Sequence, residues 1–94
     1  MKYEIEFSPE FDKQFSSLPK NIQVSLLRKV KILEDYPRYG EMLTGRLKSL
    51  LDLKLGKYRI IYKIFEEKKL VRVVTIGLRK KVYKELERKD IENM

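Results

Sequence analysis

The stretches LKLGKYRIIYKIF at residues 53–65 and VRVVTIGLRKKVY at residues 71–83 decide how this chain is expected to fold. Both are rich in β-branched and aromatic residues, and the charged tip Glu66-Glu67-Lys68-Lys69 lies between them, which is the pattern of a β-hairpin. Within the first stretch, Gly56-Lys57 marks a tight turn between strands expected over 50–55 and 58–65. The next strand is expected over 69–76, with Gly77 ending it.

The remaining elements lie on either side of these strands. Residues 2–7 alternate between apolar and charged side chains and predict a half-buried strand. Ser8-Pro9 then caps a short helix to about Leu18, and a second helix runs from about Pro19 to Tyr36. Residues 38–49 form a polar connection anchored by Leu43 and Leu47, and a charged helix runs from Lys80 to about Asn93. The order β-α-α-β-β-β-α predicts one α+β domain over residues 1–94, with a helical hairpin packed on one face of a mostly antiparallel four-stranded sheet.

The composition narrows the possible chemistry. The 94 residues include no Cys and no His, which excludes disulfides, thiolate ligands and imidazole catalysis, so we expect no metal and no cofactor. No apolar run approaches the roughly 20 residues of a membrane span, and the acid-containing N-terminus does not fit a signal peptide. The expectation is a soluble cytoplasmic protein with no membrane partner.

Positive charge is concentrated in one part of the chain. The net charge is +8, yet residues 46–84 carry thirteen Lys and Arg against three Asp and Glu, while residues 1–45 are neutral overall. A local basic field of this kind favours a polyanion or an acidic protein as partner, although lysine-rich surfaces also simply aid solubility.

Four side chains in the basic region form a candidate site. Lys54 and Arg59 flank the two-residue turn and are expected on the same sheet face, near diagonal cross-strand range. Arg79 follows the last strand, and Tyr83 lies four residues later, one helical turn away. A planar guanidinium fork and an ammonium together suit a phosphate, although a solvated sheet face would show the same charges. Tyr58 and Tyr62, on the opposite apolar face, are expected in the core.

Three segments carry a family resemblance: LTGRL at residues 43–47, LKLGKYRIIY at 53–62 and IGLRKKVY at 76–83. Together with the element order, they resemble the successive signatures of the RelE/ParE toxin superfamily, and the terminal Gly-x-Arg and Tyr resemble its RNA-cleaving branch. The resemblance implies the toxin of a type II toxin–antitoxin system. Such a toxin is a metal-independent, ribosome-dependent endoribonuclease that cuts mRNA by 2′-hydroxyl attack, leaves a 2′,3′-cyclic phosphate and so inhibits translation.

The resemblance also assigns roles to residues. Lys54 and Arg59 would neutralise the scissile phosphate, Arg79 would stabilise charge or assist the leaving group, and Tyr83 would orient the attacking nucleotide or transfer a proton. Asp52 stands where the best-known members carry a second Lys, which leaves the general base open between Lys54 and Tyr83. Further RNA contacts are expected from five basic residues: Arg46, Lys48, Lys57, Lys80 and Lys81.

The implied partners are mRNA, the ribosome and an acidic, RelB-like antitoxin that forms a hetero-oligomer with the toxin. Two other functions fit the same sequence. A ParE-like inhibitor of DNA gyrase would share the fold without needing a catalytic cluster. A non-catalytic RNA- or ribosome-binding module would keep the basic surface, and Asp52 is compatible with such a protein.

Overall fold

A five-stranded sheet forms the centre of the protein, in a computed structural model that describes residues 2–89. The strands are β1 (Glu4–Phe7), β2 (Glu41–Met42), β3 (Leu50–Leu55), β4 (Tyr58–Phe65) and β5 (Leu70–Leu78), and they lie in the order β1-β5-β4-β3-β2. β1 is parallel to β5, and every other pair is antiparallel. The α+β class is confirmed, but the predicted count of four strands was wrong. Strand β2 has only two residues and owes its extended state to pairing with β3, so no alternation of apolar and polar side chains predicted it.

Three helices accompany the sheet: α1 (Pro9–Ser16), α2 (Lys20–Lys31) and α3 (Arg79–Arg88). The predicted cap of α1 is present, since the Phe11 N–H donates to Ser8 Oγ at 3.0 Å. Helix α1 ends two residues earlier than predicted, and α2 tightens into a 3₁₀ turn at Ile32–Glu34 before the predicted end at Tyr36. The predicted continuation of the last helix towards Asn93 lies outside the described residues. None of the described helices is long and apolar enough to cross a membrane.

Gly77 lies inside β5, where it pairs with Arg59, so the prediction that it ends the strand was wrong. The strand continues to Leu78, and α3 then folds back over it. A Cβ added at Gly77 would come within 3.2 Å of the Val82 side chain. The glycine therefore allows the first turn of α3 to lie close against the sheet.

The main core lies between the sheet and the α1–α2 hairpin. Phe11, Leu26 and Val30 of the helices pack on buried residues of the strands, and alternate residues of β4 point into it. Tyr62 is fully buried and Tyr58 is partly buried against the same core, so both tyrosines lie where the sequence placed them.

A second, smaller core lies on the opposite face of the sheet, under α3. It consists of Leu47, Leu50, Ile61, Val82 and Leu86, with Leu43 and Tyr83 packed against it. The sequence predicted Leu43 and Leu47 as anchors but did not place the last helix on this face. Because α3 covers the face that carries Asp52, Lys54 and Arg59, it forms one wall of the candidate site.

Candidate active site

A cleft of about 600 Å³ lies on the α3 side of the sheet. Its floor is formed by β3 and β4, one wall by α3, and the other wall by residues 41–47, which include β2 and a 3₁₀ turn at Gly45–Leu47. All four residues predicted to be catalytic line this cleft: Lys54, Arg59, Arg79 and Tyr83. The sheet register and the start of α3 thus bring together groups that are up to 29 positions apart in the sequence.

Lys54 and Arg59 form the floor, and their positions follow from the turn between β3 and β4. Leu55 pairs with Tyr58 around the turn, and Gly56 adopts a left-handed backbone with φ of 56°. Lys54 and Arg59 are consequently direct cross-strand partners, closer than the diagonal relation predicted from the sequence. The Lys54 side chain is exposed, whereas only 15% of the Arg59 side chain is accessible.

Asp52 is buried at the base of the cleft and holds two of the four residues. Its Oδ2 accepts a hydrogen bond from Arg59 Nη1 at 3.0 Å and another from the Tyr83 hydroxyl. Its Oδ1 is buried without a hydrogen-bond partner among residues 2–89. A buried carboxylate that pairs with a guanidinium is a strong orienting group, because displacing either partner would leave the other charge uncompensated. The acid that replaces the expected lysine therefore fixes Arg59 and Tyr83 in position.

The environment of Tyr83 keeps its hydroxyl protonated. Burial raises the pKa of Tyr83, and the hydrogen bond to Asp52 and the charge of that carboxylate raise it further. Arg59 and Arg79 lower the pKa, but they do not outweigh the first three effects. Tyr83 is thus a proton donor near neutral pH, which argues against it as the general base.

Arg79 begins α3, and its position conflicts with helix electrostatics. The first turn of α3 contains Arg79, Lys80 and Lys81 and no acid, and Leu78 provides no side-chain cap. Cations at a helix N-terminus oppose the helix dipole, each at a cost of some tenths of a kcal/mol. A sequence that keeps three of them at one helix start favours a role in binding an anion over a role in stability.

The five residues predicted to bind RNA lie outside the lining of the cleft. Lys48, Lys57, Lys80 and Lys81 are exposed and do not line it. Arg46 has a structural task, because its Nη2 donates to the carbonyl oxygens of Leu86 at 3.1 Å and Lys89 at 3.0 Å, at the end of α3. It thereby satisfies carbonyls that the helix leaves open.

Sequence reasoning missed several residues of the cleft. Glu87 follows Arg79 and Tyr83 at the same four-residue spacing along α3, so the helical period was a usable signal for it. Glu41, Met42 and Thr44 lie in the irregular segment before β3, where no periodicity identifies them. Among residues 2–89, no three Asp or Glu side chains cluster as metal ligands.

Comparisons with known proteins agree with this architecture. Residues 5–83 match the family model described as the ParE toxin of type II toxin–antitoxin systems. A putative RelE-like toxin protein of Escherichia coli is 27% identical over 96 residues, which cover 100% of this chain and 94% of the relative.

Solved structures show the same fold. The archaeal RelE–RelB complex of Pyrococcus horikoshii is 28% identical with a TM-score of 0.70, covering 84% of this chain and 97% of that one. A mutant of E. coli toxin RelE in the free state is 25% identical with a TM-score of 0.76, covering 94% of this chain and 98% of that one. The chain therefore belongs to the RelE/ParE superfamily of toxins from type II toxin–antitoxin systems.

Proposed function

We propose that this protein is a metal-independent, ribosome-dependent endoribonuclease that cleaves mRNA and thereby inhibits translation. The observation that carries the proposal is the convergence of Lys54, Arg59, Arg79 and Tyr83 on one open cleft. Three cations and a protonated phenol around one cleft can stabilise the negative charge that a phosphate gains as it reacts.

The reaction is an attack of a ribose 2′-oxygen on the adjacent phosphorus. The new O–P bond gives a 2′,3′-cyclic phosphate, and the bond to the 5′-oxygen breaks as that oxygen takes up a proton. Lys54 and Arg79 are exposed and free to approach the phosphate, while Arg59 is held at the floor by Asp52. A cation that is fixed in the way Arg59 is stabilises the charge of the pentacoordinate intermediate without reorganising.

The two proton transfers fall to different groups. The raised pKa of Tyr83 suits this residue to donate a proton or a hydrogen bond, to the leaving oxygen or to a phosphate oxygen. Among the basic side chains of residues 2–89 that line the cleft, Lys54 is the only amine. It could accept the proton of the 2′-hydroxyl only in its neutral form, whereas in its charged form it stabilises the phosphate with Arg59 and Arg79. Asp52 acts as a positioning residue, since it is buried and touches Arg59 and Tyr83 rather than the open part of the cleft.

An acidic, RelB-like antitoxin is the proposed inhibitor, in a hetero-oligomer in the cytoplasm. The net charge of +10 over residues 46–84 favours an acidic partner, which would neutralise the same surface that RNA needs. Similarity to proteins solved as RelE–RelB complexes supports this partner class.

The test combines translating ribosomes, purified protein and mapping of new 5′ ends on the mRNA. We expect cuts from the natural protein and a loss of at least roughly 100-fold for Arg79→Ala and Tyr83→Phe, the order seen when a group that stabilises transition-state charge is removed. Lys84→Ala, an exposed residue of α3 that does not line the cleft, should cleave normally. Undiminished cutting by both variants would overturn the assignment, and so would the absence of cuts by the natural protein.

Inhibition of DNA gyrase is the second candidate function, because the matching family model is that of ParE toxins. A supercoiling assay without ribosomes separates the two functions. Loss of gyrase activity on addition of the protein, unaffected by Arg79→Ala, would favour this alternative. Binding to ribosomes that weakens with salt but produces no new RNA ends would instead indicate a non-catalytic module.

A further inference from the structure

Residues 36–42, which lead into and include β2, expose three large side chains. Tyr36, Tyr39 and Met42 are 67%, 57% and 57% exposed, and all three lie within seven residues. Exposed aromatic residues grouped in this way are typical of binding surfaces.

Tyr39 stands on a rigid loop. The hydroxyl of buried Tyr62 donates to the Pro37 carbonyl at 2.7 Å and accepts from the Gly40 N–H at 2.9 Å. Both bonds flank Tyr39 in the chain, so the loop is tied to the core on each side of it. An aromatic ring presented on a fixed loop loses little conformational entropy when it binds a ligand.

A groove of about 300 Å³ lies beside Tyr39 and adjoins the cleft. It is lined by Lys29 of α2, by Tyr39 and by the β3 residues Leu53 and Lys54. The groove and the cleft share three lining residues: Glu41, Asp52 and Lys54. The two hollows therefore meet beside β3. A chain bound at Lys54 in the cleft has a continuous path into the groove.

We propose that this groove binds the nucleotide next to the one that is cleaved, with its base stacked on Tyr39 and its phosphate near Lys29. The proposal rests on the proposed function and adds a second nucleotide site to it. The size of the groove is at the lower end of the range for small-molecule pockets, about 300–1,000 Å³, which suits one unpaired nucleotide.

The chemistry of the groove favours single-stranded RNA over an acidic peptide. An aromatic face between cationic side chains is the recurring pattern of single-strand binding, because every base has a π-face and every linkage a charge. The exposed carboxylate of Glu41 repels phosphate and accepts hydrogen bonds from base N–H groups, so it directs the base inward and the phosphate towards Lys29. The same carboxylate would repel the side chains of an acidic peptide.

The test uses short single-stranded RNAs that carry a 2′-deoxy sugar at the cleaved position and the fluorescent base 2-aminopurine beside it. Stacking on Tyr39 should quench the fluorescence. We expect Tyr39→Ala to weaken binding roughly 5- to 100-fold and to abolish the quenching, the effect of losing one base stack. Tyr39→Phe, which keeps the stacking face, should stay within about twofold of the natural protein.

Two further variants complete the design. Tyr36→Ala is the matched control, since Tyr36 is at least as exposed on the same segment but does not line the groove. It should bind RNA normally. Lys29→Ala should reduce the slope of log affinity against log salt by about 0.7, the value for one single-strand phosphate contact.

The outcomes separate this proposal from the proposed function. Normal mRNA cutting by the natural protein, together with equal RNA binding and quenching in Tyr39→Ala, would overturn the second site alone. RNA binding that depends on Tyr39 without any cutting on ribosomes would overturn the endoribonuclease and leave the site standing. If Tyr39→Ala loses affinity for an acidic antitoxin but not for RNA, the groove is a protein-docking site and the proposal is wrong.

Discussion

Coupling between Asp52 and Tyr83 gives a direct test of how the cleft is held together. Asp52→Asn keeps the shape of the side chain but removes the charge that faces Arg59 and Tyr83. Hydrogen bonds to charged groups contribute about 1.5–3 kcal/mol and those between neutral groups about 0.5–1.5 kcal/mol. Because Asp52 is only 4% exposed, water cannot replace the hydrogen-bond strength that is lost with its charge. We therefore expect Asp52→Asn to lower the free energy of unfolding by about 2 kcal/mol. For a domain of this size, that corresponds to a fall in Tm of roughly 8–16 °C.

Tyr83→Phe removes the hydroxyl and should cost about 1–2 kcal/mol, since it also leaves Asp52 with one donor fewer. In the double variant the hydrogen bond can be lost only once, so the two costs should fall short of their sum by about 1 kcal/mol. Urea unfolding of the four proteins, followed by circular dichroism at neutral pH, measures this difference. Tyr36→Phe, at a residue 67% exposed, is the control and should change stability by less than about 0.5 kcal/mol. Additivity of the two substitutions within about 0.5 kcal/mol would refute the idea that Asp52 anchors Tyr83.

Three other predictions address the supports of the cleft. Gly40→Ala should destabilise the protein by about 1–3 kcal/mol in urea unfolding, because the new Cβ would lie 2.8 Å from the Asp52 carbonyl oxygen, a backbone atom that cannot easily move. Arg46→Ala should cost about 1 kcal/mol and increase hydrogen exchange in the last turn of α3. Lys48→Ala should do neither, since the Lys48 side chain is exposed and makes no hydrogen bond to residues 2–89. Burial acts to raise the pKa of Glu10, but the hydrogen bond from Lys89 and the charge of its ammonium act in the opposite direction, and the pKa is lowered overall. The lowered pKa stabilises the folded state above the ordinary carboxyl pKa of 4.5, and this stabilisation is lost as the pH falls through the folded-state pKa. Glu10→Gln should therefore lower the free energy of unfolding by less than about 1 kcal/mol at neutral pH and leave it unchanged in strong acid. A difference between Glu10→Gln and the natural protein that persists in acid would contradict this account.

Helices and strands with a regular alternation of apolar and polar side chains were predicted correctly from the sequence. Elements that form only by pairing with a distant segment were not. The alternation of β4 correctly separated Tyr62 in the core from Arg59 on the other face, and Ser8 correctly marked the start of α1. Strand β2 was not predicted because its extended state depends on partners nine and eleven residues away in the sequence. Gly77 was misjudged because a glycine within a strand and one at its end look alike in sequence.

The candidate site, like the fold, was predicted from the sequence only in part. The motifs were sufficient to select four residues that line the cleft, Lys54, Arg59, Arg79 and Tyr83. They did not indicate which of these side chains are exposed and which are held by hydrogen bonds. The sequence marked Asp52 as an acid within a basic cluster, but only the fold shows that it is buried. Arg46 is a cation like its neighbours in the sequence, and only the position of the end of α3 gives it a structural role. Whether a charged side chain binds a ligand or supports a helix depends on what the fold places over it.

The parallel pairing of β1 with β5 has a consequence for the synthesis of this protein. Glu4 pairs with Leu70 and Phe7 with Val73, so the first strand has no partner until most of the chain has been made. Closing a loop of this length is slow compared with forming local hairpins, and the cleft also needs α3, which follows β5 directly. A nascent chain that stops before residue 79 has neither Arg79 nor Tyr83 and lacks one wall of the cleft. The cleft is therefore assembled only after α3 has been made, later in synthesis than every strand of the sheet.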